Sequence, residues 1–181
     1  MSTTWVALLR GINVGGRNRI LMADLRACFE DQGYSDVRTY IQSGNVIFGA
    51  EATDREALRS AIEAMLAKAF DYAATIELRS REELQAAVDD APRGYGSDKD
   101  TYHYDILFLL PPLTTRETLD ALRPRDGVDE VWAGPGLVYH RRLAAQASRS
   151  GLPKIVSHPI YQRMTVRNWN TTTRLLAMMS E

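Results

Sequence analysis

The chain predicts an α+β protein built of two pseudo-repeated, ferredoxin-like (βαββαβ) subdomains with antiparallel sheets, the second one divergent. Three observations lead there. Short β-rich apolar runs alternate with stretches of helical period, and Gly, Ser and Asn punctuate them where hairpins are needed. The order strand, helix, strand, strand, helix, strand completes once and then starts again after residue 101. The boundaries expected from composition are 1–92 for the first subdomain, 93–101 for a linker and 102–181 for the second, which carries a basic helical tail.

Residues 4–10 are an apolar run that reads as a buried strand, followed by the glycine-rich segment 11–16. Met22, Leu25, Cys28 and Phe29 recur at helical spacing, and Gly33 suits a left-handed stop. Residues 37–42 and 46–48 read as strands joined by Ser43-Gly44-Asn45, a hairpin signal. Leu58, Ala61, Ile62, Met65, Leu66 and Ala69 line one helix face, with Thr53 and Glu56 as its expected capping box. A strand over 74–78 leads to a helix boxed by Ser80 and Glu83. The turn formers of 91–101 give the linker. In the second round a strand spans 102–110, and Thr114 and Glu117 box a helix. Strands near 128–133 and 137–141 flank Gly134-Pro135-Gly136. Residues 154–164 read as a helix broken by Pro159, and Asn170 as the cap of a last helix.

Of 181 residues, 45% are apolar and 25% charged, enough for a core without disulfide or metal staples. Cys28 is the lone cysteine, and His103, His140 and His158 lack ligand spacing, so no metal and no cofactor are expected. With no signal pattern and no membrane-length apolar run, a cytoplasmic protein without a membrane partner is expected. The net charge of −1 is uneven: residues 1–49, 50–101 and 102–181 carry +1, −5 and +3. Arg10, Arg17 and Arg19 occupy an acid-free stretch over 1–23, and residues 131–180 hold seven basic side chains and no acid. Such windows favour anionic partners, although a basic face offset by the acidic middle explains them too.

Topology sharpens this. In a split βαβ sheet the ends of strands one and two and the start of strand three share one edge. That edge gathers Arg10, Gly11, Asn13, Gly15, Gly16, Arg17 and Asn18 beside Ser43, Gly44 and Asn45. A glycine-rich strand-to-helix loop offers backbone N–H groups to an anion, with the helix dipole behind them. The phosphate-loop and dinucleotide signatures are both absent, so the loop is a generic anion candidate. Tight turns alone would also account for the glycines. A second donor cluster, Arg167 and Asn168, precedes the last helix; Trp169 beside them reads as a core plug. No nucleophile has an identifiable base, so catalytic residues stay unassigned.

Leu8-Leu9-Arg10-Gly11-Ile12-Asn13-Val14-Gly15-Gly16, Tyr40-Ile41-Gln42-Ser43-Gly44-Asn45-Val46 and Arg167-Asn168-Trp169-Asn170-Thr171 together resemble the bacterial family called domain of unknown function 1697. The resemblance implies two partly ferredoxin-like subdomains and no established activity. The chain departs from the pattern with Arg17, Arg19 and Val166. The function expected is binding of a phosphate-bearing ligand, a nucleotide or single-stranded nucleic acid, at the Gly/Asn/Arg loops. The alternatives are a small-molecule enzyme using the same pocket, with Ser43 as reacting group, and an interaction module whose motifs serve the fold. Oligomeric state is not legible.

Overall fold

The computed structural model describes residues 2–13, 19–51, 54–71 and 73–181. The chain divides into two compact units, Met1–Leu84 with Leu175–Glu181, and Gln85–Arg174.

In the first unit β1 (Thr3–Leu9), α1 (Met22–Asp31), β2 (Ser35–Tyr40), β3 (Asn45–Ala50), α2 (Arg55–Phe70) and β4 (Ile76–Ser80) follow one another. The sheet order is β2-β3-β1-β4, with β1 antiparallel to both β3 and β4. Alternation along the strands puts Ala7, Leu9, Val46, Phe48, Ile76 and Leu78 into one core with Leu25 and Phe29 of α1 and Leu58, Ile62 and Leu66 of α2. Phe48 meets Phe29 and Tyr34 at ring separations of 5.2 and 4.9 Å. The alternate residues Val6, Leu8 and Ile47 are buried as well, so β1 and β3 read as a nearly continuous apolar run.

Helix α3 (Arg81–Asp89) leads to the second unit: β5 (Tyr102–Leu109), α4 (Thr115–Leu122), β6 (Asp129–Gly134) and β7 (Leu137–Leu143). A 3-10 segment (Ala144–Arg149), the single turn α5 (Leu152–Ile155), a 3-10 segment (Pro159–Arg163), β8 (Met164–Asn168) and α6 (Trp169–Met179) follow. The order β6-β7-β5-β8 repeats that of the first sheet, again with antiparallel pairs throughout. The protein is therefore α+β with two four-stranded antiparallel sheets, each with helices. The second round diverges where short turns stand in for the counterpart of α2. Leu107, Leu109, Val138 and Met164 pack under Leu122, Leu152 and Ile155.

Three local expectations are corrected. The cap of α2 is Asp54, whose carboxylate accepts from Glu56 N (2.9 Å) and Ala57 N (3.2 Å); Thr53 lies outside the described residues. The cap of α6 is Asn168 rather than Asn170, because Asn168 Oδ1 accepts from Thr171 N at 2.8 Å. The helix expected over 154–164 gives way to short turns and ends at Met164, which opens β8 (Met164–Asn168), a strand that the sequence does not predict. The boxes at Ser80/Glu83 and Thr114/Glu117 are present.

Within 91–101, turns form as the composition predicts, but Tyr95 is buried and anchors them. Its hydroxyl reaches Asp105 O (2.7 Å) and His140 O (2.8 Å) and accepts from His140 N (3.2 Å). Its ring meets Tyr104, Tyr139 and Trp169 edge-on.

Candidate functional site

The two loops expected to converge do so through the side chain of Asn13. Its amide nitrogen donates to Ile20 O (3.0 Å), just before α1, and to Gln42 O (2.9 Å) in the β2–β3 turn; its Oδ1 accepts from Ile20 N (2.9 Å). Leu9 N donates to Gly44 O at 2.8 Å, and Asn45, fully buried, donates to Tyr40 O (2.9 Å) and Ser43 Oγ (3.2 Å). Both asparagines thus use their amide nitrogens to clamp the loops. Arg10 follows β1 half-buried, with its backbone N–H on Thr75 O, while Gly11, Arg19 and Ser43 are exposed. Gly15, Gly16, Arg17 and Asn18 lie outside the described residues.

Helix α1 starts at this edge behind Leu21, which supplies no side-chain cap, so its first N–H groups are left to other acceptors. Two features escaped the sequence reading. Ile41 sits at φ 48° and is 47% exposed, and Leu21 is 70% exposed. A β-branched residue in the left-handed region is costly and is found where surroundings impose it. Both apolar side chains stand one residue from a carbonyl held by the Asn13 amide. The edge accordingly combines arginines, a helix start without a side-chain cap and exposed aliphatic surface.

A family model described as "Protein of unknown function (DUF1697)" matches residues 2–139. The chain belongs to the DUF1697 family. The match contains the loops around Arg10 and Ser43, whereas Arg167-Asn168-Trp169-Asn170 lies beyond it. The solved structure titled "conserved bacterial protein SP0830 from Streptococcus pneumoniae" is similar at 25% identity, covering 99% of each chain with a TM-score of 0.86. No curated protein matches the chain.

In this DUF1697 chain Arg167 and Asn168 belong to the second unit. Arg167 pairs with Ile106 in the sheet, is 8% exposed and donates to Val166 O at 2.9 Å; burial pushes its guanidinium down to about 10. A buried guanidinium held on a strand is part of the sheet's interior. Trp169 is half-buried against Tyr95, at 5.1 Å between rings, and a Cβ at Gly96 would strike its indole.

The second unit also holds a polar group that the sequence did not reveal. His140 Nε2 lies 3.1 Å from Asp129 Oδ1, with both side chains fully buried. Asp129 Oδ2 accepts from Arg125 N (2.8 Å) and Gly151 N (2.9 Å). Burial drives the imidazole down to about 4 against the pull of Asp129, so the ring is neutral. Burial raises the Asp129 carboxyl, but hydrogen bonds from Ser150, Gly151 and Arg125 outweigh it and hold it low. Ser150 is fully buried beside them, and the acid, not the histidine, is central. This arrangement ties loops to β6 and β7 and has no route to a substrate. Among the described residues no three His, Cys, Asp or Glu side chains could hold a metal ion, and no helix is long and apolar enough to cross a membrane.

Proposed function

We propose that this protein binds a phosphate-bearing ligand, a nucleotide or a short single-stranded nucleic acid, at the loop edge of the first unit. The observation that carries this reading is the clamping of two loops by Asn13 at an edge bearing Arg10, Arg19 and the exposed Leu21 and Ile41. Arg10, Arg19 and Arg17 supply positive charge, the glycine-rich composition of 11–16 allows close backbone approach, and Ser43 and Asn18 supply short polar donors. Leu21 and Ile41 offer an apolar bed for a base or sugar. Base stacking on an open sheet face is disfavoured, because Trp5 and Phe48 are buried and so are Val6, Leu8 and Ile47 behind them. Arg167 and Asn168 serve as supports of the second unit in this reading.

The amides of Asn13 and Asn45 favour a second reading, in which the motifs serve the fold alone. Fluorescence-anisotropy titration with labelled oligothymidylate and thermal shift with AMP, GTP and inorganic phosphate separate the two. Arg10→Gln with Arg19→Gln is expected to keep the melting temperature within a few degrees while weakening binding at least ~10-fold, about 1.4 kcal/mol. Oligonucleotide binding is expected to fall steeply with salt through counterion release. Binding unaltered by the double variant, or no binding to any of these probes, would leave the motifs to the fold.

A further inference from the structure

The polar end of the second sheet presents a cleft with its own chemistry. Register places His103 opposite Arg142 and Asp105 opposite Asn168, so these four side chains share one face of the sheet. Farther along that face Leu107, Leu109 and Met164 are buried in the core, whereas the polar end opens into a cavity of about 300 Å³. Trp169 and Tyr102 line the same cavity, and the exposed Lys99 stands at its rim.

The charged pair in this cleft is incomplete. Asp105 Oδ2 lies 3.7 Å from Arg142 Nη2, and that oxygen is out of solvent without a hydrogen bond. Arg142 Nε is likewise out of solvent and without one. A bonded guanidinium–carboxylate pair closes to about 2.7–2.9 Å, so attraction holds these groups near each other without joining them. Atoms sealed from solvent are sealed from a ligand too, but the side chains of Arg142 and Asp105 keep 20% and 13% of their surface exposed. A ligand in the cavity meets them there and must offer a donor to Asp105 and an acceptor to Arg142 over a span close to their own separation. The ammonium nitrogen and a carboxylate oxygen of an α-amino acid stand ~3 Å apart by standard bond geometry.

We propose that this cleft binds a free α-amino acid, its ammonium on Asp105 and its carboxylate on Arg142 and Lys99. Asn168, fixed by its bond to Thr171 N, orients the start of α6 beside the ligand. The two cations against one carboxylate give the cleft the sign that draws a carboxylate in. The reading is independent of the loop edge, which lies in the other unit.

Thermal shift of the full chain with each of the twenty common L-amino acids at millimolar concentration tests it, followed by calorimetry on those that raise the melting temperature. At least one is expected to bind, and its des-amino and decarboxylated analogues are expected to bind at least ~10-fold more weakly. Asp105→Asn keeps the shape and is expected to abolish the preference for the ammonium. Should Asp105→Asn fail to fold, the exposed Lys99→Ala carries the test and is expected to weaken the amino acid several-fold at unchanged stability. Arg10→Gln with Arg19→Gln is expected to leave amino-acid binding intact, which separates this cleft from the loop site. Three results would overturn the proposal: no amino acid raises the melting temperature, the des-amino analogue binds as well, or folded Asp105→Asn and Lys99→Ala both bind unchanged.

Discussion

Two side chains show how single residues hold this chain together. Asn13 makes three hydrogen bonds across two loops distant in sequence, and alanine there would strand the carbonyls of Ile20 and Gln42. Asn13→Ala is expected to lower stability by about 1–3 kcal/mol, measured by urea denaturation, and to weaken any ligand of the loop edge along with it. Tyr95 plays the same part in the second unit. Tyr95→Phe keeps the ring contacts but removes the hydroxyl shared by Asp105 O and His140 O and N, at an expected cost of about 1–3 kcal/mol in the same assay. The motif asparagines were visible in the sequence as polar residues beside glycines. What they bond to was not, since an amide serves a ligand or a carbonyl equally well until the neighbouring loop is in place. Tyr95 lay inside a stretch whose Gly, Pro and Asp suggest a linker, and only its burial reveals an anchor.

Elements built on local rules were legible. Thr114 and Glu117 form the expected box, and Thr114→Ala is expected to lower the melting temperature with a loss of about 1 kcal/mol. A hairpin joins β2 and β3 where expected, with its turn over 41–44 and Asn45 already in β3, and its glycine answers two constraints at once. Gly44 has φ 82°, and a Cβ there would lie 2.5–2.9 Å from side-chain atoms of Ile12 and Leu9. Gly44→Ala is therefore expected to cost at least about 1–2 kcal/mol by urea denaturation, more than a surface turn glycine would. Elements that depend on a distant partner were not legible. The five residues of β8 include the polar Thr165, Arg167 and Asn168 and follow Pro159, so their own pattern favours no strand. The backbone of β5 makes them one, by offering an unpaired edge.

At the scale of the whole molecule, two buried groups set opposing pH dependences. Burial lowers His140 to about 4, so the unfolded chain binds its proton more readily, and stability is lost as pH falls from 6.5 towards 4. Burial raises Glu77 to about 7 despite Arg79, whose Nε lies 2.8 Å away, so stability is lost as pH rises from 4.5 towards 7. Over the shared window the two slopes offset each other. Glu77→Gln removes the falling one, and its denaturation free energy is expected to rise with pH between 4.5 and 6.5, by at most ~1.4 kcal/mol per pH unit. A slope identical to that of the unaltered protein would show that Glu77 contributes no pH dependence of its own. The sequence by itself determined the α+β class, most of the strands and helices, the hairpins and the two loops that meet at one edge, because these follow from hydrophobic period, turn chemistry and the rules of sheet connection. Only the tertiary structure decided that β8 exists, that Tyr95 anchors the turns of 91–101, that Arg167 is interior, and that Asp105 and Arg142 come within 3.7 Å of each other beside a cavity. Each of those depends on which distant residues supply the other half of a hydrogen bond or charge pair, and a side chain's own type does not say.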